Sequence, residues 1–256
     1  LGQIFIIANQ KGGVGKTTTS LNLGAALSEL GKEVLLIDLD PQGGLTLHCD
    51  YEPDELETSI YDALKDEEVT DETILETEFG ADLLPANVDL AVIEMELINS
   101  VARERRLTAI LNPIRDNYDI VIIDGQPSLG LLTLNSMTAA DQIIIPIACE
   151  YLALRGVDGL MKMIKKVQGQ LNSKLSINGV LPTMFDRRTN HTEAILKQIK
   201  TRFEPEIKVY DHTVYRSIRF AEAAEEREPI IYYAKNIPGA DAYRNLGREL
   251  IRNGNI

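Results

Sequence analysis

Two lysines, Lys11 and Lys16, stand five residues apart in the glycine-rich stretch KGGVGKTT. Glycines let successive backbone N–H groups converge on an anion, and a lysine beside them adds a full positive charge, so the combination is suited to phosphate. Hydroxyls follow at Thr17 and Thr18, and the one next to the lysine is the type of ligand taken by a phosphate-bound Mg2+. The strict phosphate-loop spacing, G-x-x-x-x-G-K-[ST], requires glycine at position 10, where this chain has Gln10. The rest of the pattern is present, which makes Gly12, Gly13, Val14, Gly15, Lys16, Thr17 and Thr18 the expected nucleotide-binding residues. The plainer alternative is a glycine-rich turn with no ligand. Neither reading needs Lys11.

Three carboxylates fall where such a loop could use them. In LLIDLDPQGG, Asp38 closes an apolar run and Asp40 follows two residues later; in YDIVIIDGQPSLG, Asp124 closes another. An acid after an apolar strand can hold Mg2+ through a water. Taken singly, each is more ordinarily a helix or turn cap, and the upstream phosphate loop is what favours the chemical reading.

These residues need a scaffold that brings them together. Ile4–Ala8, ahead of the loop, is an apolar run of strand type, and Thr17–Leu30 has helical spacing at Leu21, Leu23, Ala25, Leu27 and Leu30. Strand, glycine loop and helix stand in the order that points free amides and the positive end of a helix at an anion. Further apolar runs at Val34–Asp38, Leu83–Pro85, Ile120–Asp124, Ile143–Ile147 and Ile177–Leu181 alternate with helical patterns. The fold class expected is α/β, a mostly parallel sheet flanked by helices on both faces, in one domain spanning residues 1–256. In such a sheet, ligand chemistry collects at the C-terminal strand ends.

The net charge of −13 is unevenly distributed. Asp50–Glu78 holds thirteen acids against one base, Lys65, a balance of −12, and is expected to form a solvated helical insertion with spacing at Leu56, Ile60 and Leu64. Arg187–Arg219 holds eight bases against four acids, a balance of +4, enough for a local polyanion-binding patch on an acidic protein. Cys49 and Cys149 belong to no C-x-x-C pair, which argues against a zinc site or a disulfide framework and suits a reducing cytoplasm. No run has the length of a membrane span. The chain begins at Leu1 rather than methionine, which leaves room for native residues ahead of it.

KGGVGKTT followed by DLDPQG, LLPAN, IVIIDGQPSLG and IIIPIACEYLALRG resembles the ParA-type partition ATPases of the deviant Walker A, ParA/MinD superfamily, over nearly the whole chain. The resemblance implies an ATP- and Mg2+-dependent ATPase, a deviant Walker A P-loop NTPase that dimerises by sandwiching two ATP molecules. Lys11 of each subunit would reach the phosphates held by the other, and Gly12 would sit at closest approach. Lys11, Lys16 and Asp40 are then the catalytic residues, Asp40 positioning the attacking water; Thr17, Asp38 and Asp124 serve the metal, and Thr18 helps hold phosphate. Hydrolysis is expected to be slow until a ParB-like centromere-binding partner stimulates it. The homodimer is expected to bind nonspecific DNA through Arg187, Arg188, Arg216 and Arg219, with Lys197 and Lys200 as an extension of the patch, giving a cytoplasmic, nucleoid-associated protein that segregates plasmid or chromosome origins.

The chain also departs from the family. After Asp124 the family has a small or thiol residue and two prolines, against Gly125, Gln126 and Pro127 here. This either loosens the segment that senses the γ-phosphate, lets Gln126 hydrogen-bond water there, or is neutral. The rival readings are a MinD-like membrane-associated ATPase, a ParA-like positioner of protein cargo, an iron-protein reductase using the two cysteines, and an ATP-dependent carboxylate-activating enzyme. The first needs an amphipathic C-terminal tail, but PGADAYRNLGRELIRNGNI has a narrow apolar face without Trp or Phe, which favours a helix docked on the core.

Overall fold

Continuous runs of Ile, Val and Leu are buried on both faces only inside a covered sheet, and the computed structural model, which describes residues 2–256, places them there. The strands are β1 (Gln3–Ile7), β2 (Val34–Leu39), β3 (Leu75–Glu76), β4 (Asp82–Leu84), β5 (Ile120–Gly125), β6 (Gln142–Ala148) and β7 (Ser176–Thr183). They form one seven-stranded sheet in the order β3-β4-β2-β5-β1-β6-β7. Every pairing is parallel except β3 with β4.

The helices are α1 (Lys16–Glu29), α2 (Gly44–His48), α3 (Ile60–Asp66), α4 (Leu90–Glu96), α5 (Arg106–Leu111), α6 (Leu131–Ala139), α7 (Val157–Gln170), α8 (Asn190–Phe203), α9 (Arg219–Glu225), α10 (Ile230–Tyr233) and α11 (Pro238–Arg252). They cover both faces. One core packs α3 to α8 against Ile4, Ile6, Leu35, Ile37, Val121 and Ile123; the other packs α1, α10 and α11 against Phe5, Ile7, Leu36, Ile120 and Ile122. Alternate residues of each central strand thus go to opposite cores, as a two-residue side-chain period requires. Cys49 lies in the second core and Cys149 in the first, both free and buried.

The acidic insertion differs from its expected form. Within Asp50–Glu78 only Ile60–Asp66 is α-helical; the remainder is 3-10 turns, loop and the short antiparallel edge strand β3. Leu56 is extended and lies outside the helix, which starts only where Ser59 and Asp62 close a capping box. Leu56, Ile60 and Leu64 therefore share a spacing without sharing a helix.

The C-terminal helix docks as expected. Tyr243, Leu246 and Leu250 of α11 are buried against the sheet's second core, Arg244 pairs with Glu29 of α1, and no helix among the described residues is long and apolar enough to cross a membrane. Leu246→Ala opens a cavity in this wholly buried layer. The expected cost is about 2–4 kcal/mol, read as a lower urea midpoint with an unchanged denaturant slope.

Candidate nucleotide-binding site

The loop from Asn9 to Gly15 leaves β1 at the centre of the sheet and is pinned from two sides. Asn9 is buried; its Nδ2 donates to the Pro146 carbonyl of β6 (2.7 Å) and its Oδ1 accepts the Lys11 amide (3.0 Å). Further on, the Thr183 hydroxyl at the end of β7 donates to the Val14 carbonyl (2.8 Å). The outer part of the loop is open: Gly12 and Gly13 are exposed, and a Cβ at either would meet nothing within 4 Å. Gly13 (φ 68°) and Gly15 (φ 87°) adopt the left-handed region, and Gly15 caps α1 with no side chain over the first amides. Free amides, the helix's positive end and open space in front of Gly12 and Gly13 suit an anion.

The two lysines have different environments. Lys16 is buried, its Nζ 3.4 Å from the Lys11 carbonyl. Burial pulls its pKa below the ordinary lysine value, while the negative charges of Asp124 and Asp40 act in the opposite sense. Lys11 is half-buried, and its side chain makes no hydrogen bond or ion pair among the described residues.

The three acids come together at the C-terminal ends of β2 and β5. Asp38 and Asp124 are direct cross-strand partners and both are buried. Burial pushes both carboxyls above the usual carboxylate range, and a neighbouring negative charge adds to it, that of Asp38 at Asp124 and that of Asp40 at Asp38. Hydroxyls one helical turn apart on α1 face Asp124: Thr17 Oγ1 donates at 2.7 Å and Ser20 Oγ at 2.9 Å. Asp38 accepts from the Asp40 amide (3.1 Å) and from both the amide and hydroxyl of Thr46 (2.8 Å each). Asp40 is half-buried in the turn that follows β2, its Oδ1 accepting the Gln42 amide at 3.0 Å.

The structure therefore gathers Gly12–Thr18, Asp38, Asp40 and Asp124 at the C-terminal ends of the central strands β1, β2 and β5. The expected DNA-contacting arginines lie elsewhere, beyond β7. Arg187, Arg188 and Arg216 line an open groove of about 780 Å3 with Phe185, Tyr215 and Pro238, and Arg219 begins α9 nearby. All four are exposed, and each has a partner: Arg187 stacks on Tyr215 (4.0 Å), Arg188 pairs with Asp186 (2.7 Å), Arg216 with Glu150 (3.8 Å) and Arg219 with Glu222 (2.7 Å). Lys197 and Lys200 lie on α8, where Lys200 pairs with Asp211 (3.0 Å). Sequence reasoning missed Asn9, Ser20, Thr46 and Thr183. Ser20 was detectable as a polar residue one turn beyond Thr17, whereas Thr183 meets Val14 across 169 residues and leaves no local signal.

A parallel sheet with a glycine loop between β1 and α1, a lysine in the loop and a helix hydroxyl on the acid that ends β5 defines a P-loop nucleoside triphosphatase. The model of a family described as an AAA domain matches residues 2–177. The chain is 45% identical to the sporulation initiation inhibitor protein Soj of Bacillus subtilis over 99% of this chain and 100% of that one. It is 43% identical to the chromosome partitioning protein ParA of Caulobacter vibrioides, covering 97% of this chain and 94% of that one. Among solved structures, cobyrinic acid a,c-diamide synthase of Mycobacterium smegmatis with bound ADP and magnesium superposes with a TM-score of 0.88 at 39% identity, covering 98% and 95% of the two chains. The chain belongs to the ParA/Soj family of ATPases, within the ParA/MinD superfamily.

Thr46 gives a test of how the acids are held. Besides bonding Asp38, its hydroxyl accepts the Ala86 amide at 2.9 Å, and the residue is fully buried. Thr46→Val keeps the shape but leaves a carboxylate oxygen and an amide short of partners. The expected loss is about 2–3 kcal/mol in denaturant titration, well beyond the cost of an exposed Thr→Val change.

Proposed function

We propose that this chain is a single-domain, ParA-type switch that loads ATP and Mg2+, pairs with a second copy in the ATP state, and binds nonspecific DNA until hydrolysis releases it. The observation that carries the reading is Lys11: a cation at an open rim of the phosphate loop, whose side chain has no hydrogen-bond or ion-pair partner among the described residues and no need to serve its own phosphate while buried Lys16 does so. Beside it, Gly12 has empty space where a side chain would stand, so a second phosphate loop can approach closely.

The residues fit the ligand. The amides of Gly12–Thr18 and the Lys16 ammonium take the phosphates, and the Thr17 hydroxyl, backed by Asp124, offers the metal a ligand. Bound Mg2+ supplies charge neutralisation on the β- and γ-phosphates. Asp40, half-buried and with one oxygen not engaged by Gln42, is placed to orient water, and Asp38 holds the Asp40 turn through its amide. Loss of the γ-phosphate removes negative charge from beneath the partner's lysine, so the pair loosens after turnover. A slow basal rate, stimulated by a ParB-like centromere-bound partner, keeps the ATP state long enough to act; the place of action is the nucleoid in the cytoplasm.

DNA contact falls to Arg187, Arg188, Arg216 and Arg219. Exposed ion pairs are worth little, so the acidic partners of Arg188, Arg216 and Arg219 are readily exchanged for phosphates, while Arg187 is held by Tyr215. The name and 39% identity of the synthase favour a second reading, an enzyme that activates a carboxylate with ATP. Such an enzyme has no use for Lys11.

The deciding measurement is sedimentation with nonspecific DNA and, separately, with anionic liposomes, each with ATP, ADP or no nucleotide. The expected result is DNA association under ATP alone, falling steeply with salt. Liposome binding instead would move the protein to the membrane branch, and binding to neither would leave the carboxylate-activating reading and a protein cargo as rivals. Lys11→Ala is expected to keep nucleotide binding and lose the ATP dimer in analytical ultracentrifugation, whereas Lys16→Ala loses nucleotide. Asp40→Ala should hold the ATP dimer with little turnover. Arg219→Glu should weaken DNA binding at least tenfold, about 1.4 kcal/mol, without changing DNA-free ATP hydrolysis.

A further inference from the structure

The segment after Asp124, which departs from the family's pattern, is anchored in a way that its sequence does not announce. Glu94 of α4 reaches the loop after β5 and holds both its ends. Its Oε1 accepts from Gln126 Nε2 at 3.3 Å and from the Leu132 amide, in the first turn of α6, at 2.9 Å. A carboxylate only accepts, so the Gln126 amide must present its nitrogen to Glu94 and keep its carbonyl oxygen available as an acceptor. Between the two anchors, Gly130 leaves the space that the carboxylate fills: a Cβ there would lie 2.5 Å from Glu94 Oε1 and 3.0 Å from Oε2. Glu94 is half-buried, and its neighbours Ile93 and Leu97 are fixed in the core, so its backbone is held in place.

This loop is the direct continuation of Asp124 and Gly125, which lie beside β1 and β2 at the nucleotide edge of the sheet. An unanchored glycine-containing loop at that position would sample many conformations, and turnover would pay the entropy of choosing one. We propose that Glu94 is a positioning residue for ATP hydrolysis: it fixes the Gln126 side chain and the backbone of residues 126–130 against α6, so that the loop meets the γ-phosphate end of the site already ordered. A proline at position 126 orders the same backbone without help, while Gln126 needs an external acceptor, and Glu94 supplies it. The inference rests on the ATPase reading above.

The test is steady-state ATPase kinetics on Glu94→Ala, Glu94→Gln, Gln126→Ala and the Glu94→Ala/Gln126→Ala double variant, with nucleotide binding to the wild type measured first. Wild type that binds no ATP would fail the ATPase reading itself, separately from this one. The expected result is that Glu94→Ala lowers kcat about tenfold with KM for ATP changed less than twofold. Glu94→Gln, whose amide oxygen still accepts, retains most of kcat. In the Gln126→Ala background the Glu94→Ala effect shrinks to about threefold or less, because the Gln126 contact is already gone and Glu94 then holds only the Leu132 amide. Should Glu94→Ala fold poorly, Glu94→Asp, shorter by one methylene, carries the same comparison. Effects that multiply independently in the double variant would overturn the proposal, as would a fall in melting temperature with kcat intact or a change confined to KM.

Discussion

Two carboxylates standing side by side in the interior make the rest of the site necessary. Asp38 and Asp124 occupy adjacent positions on paired strands, both out of water; burial raises the proton affinity of each, and the charge of Asp38 adds to it at Asp124 as that of Asp40 does at Asp38. Such an arrangement costs several kcal/mol unless donors surround it. The chain supplies them from every side: Thr17 and Ser20 from α1, the Asp40 amide from the turn after β2, Thr46 from α2, and the ammonium of Lys16 through space. The paired acids thus fix where α1 begins, how β2 turns and where α2 lies. A divalent cation held against this corner would ease the same negative charge that the protein donors offset only in part.

The site also depends on contacts that are distant in the chain. The phosphate loop is irregular backbone, and irregular backbone keeps a shape only where its polar groups are tied down. Asn9 ties its start to β6 and Thr183 ties its middle to β7, both through buried hydrogen bonds. The strand order places β6 and β7 on one side of β1, and β5 and β2 on the other. One flank therefore shapes the loop while the other supplies the acids, which gives the central position of β1 a chemical purpose as well as a packing one.

Sequence made the sheet legible because burial on both faces leaves uninterrupted Ile, Val and Leu in β1, β2, β5 and β6, and each expected run matches its strand to within a residue or two. The same physics explains the miss at β3, which is two residues long, half-exposed and antiparallel, and so has no apolar run to show. It explains Leu56 too, whose spacing imitates a helix that Ser59 starts only later. At the site, glycine, lysine and aspartate declared themselves by type. Thr46, Asn9 and Thr183 are common residues that each meet a group far along the chain, Ala86, Pro146 and Val14, and one chain read along its length holds no trace of those contacts.

Charge follows the sheet as well. The acid-rich segment from Asp50 to Glu78 includes β3, at one edge, and Arg187, Arg188 and Arg216 follow β7, at the other. A net charge of −13 is therefore compatible with an anion-seeking edge, because two regions of opposite sign separated by the width of seven strands are screened from one another in salt. The segregation is incomplete: Arg227, beyond α9, ion-pairs with Asp50 and Glu52, bringing the C-terminal segment back across α1 to the acidic side. That return links the basic edge, through α9, to α1, the helix that follows the glycine loop. Loop, helix and arginine groove therefore belong to one connected body of structure, in which the position of α9 is the shared element.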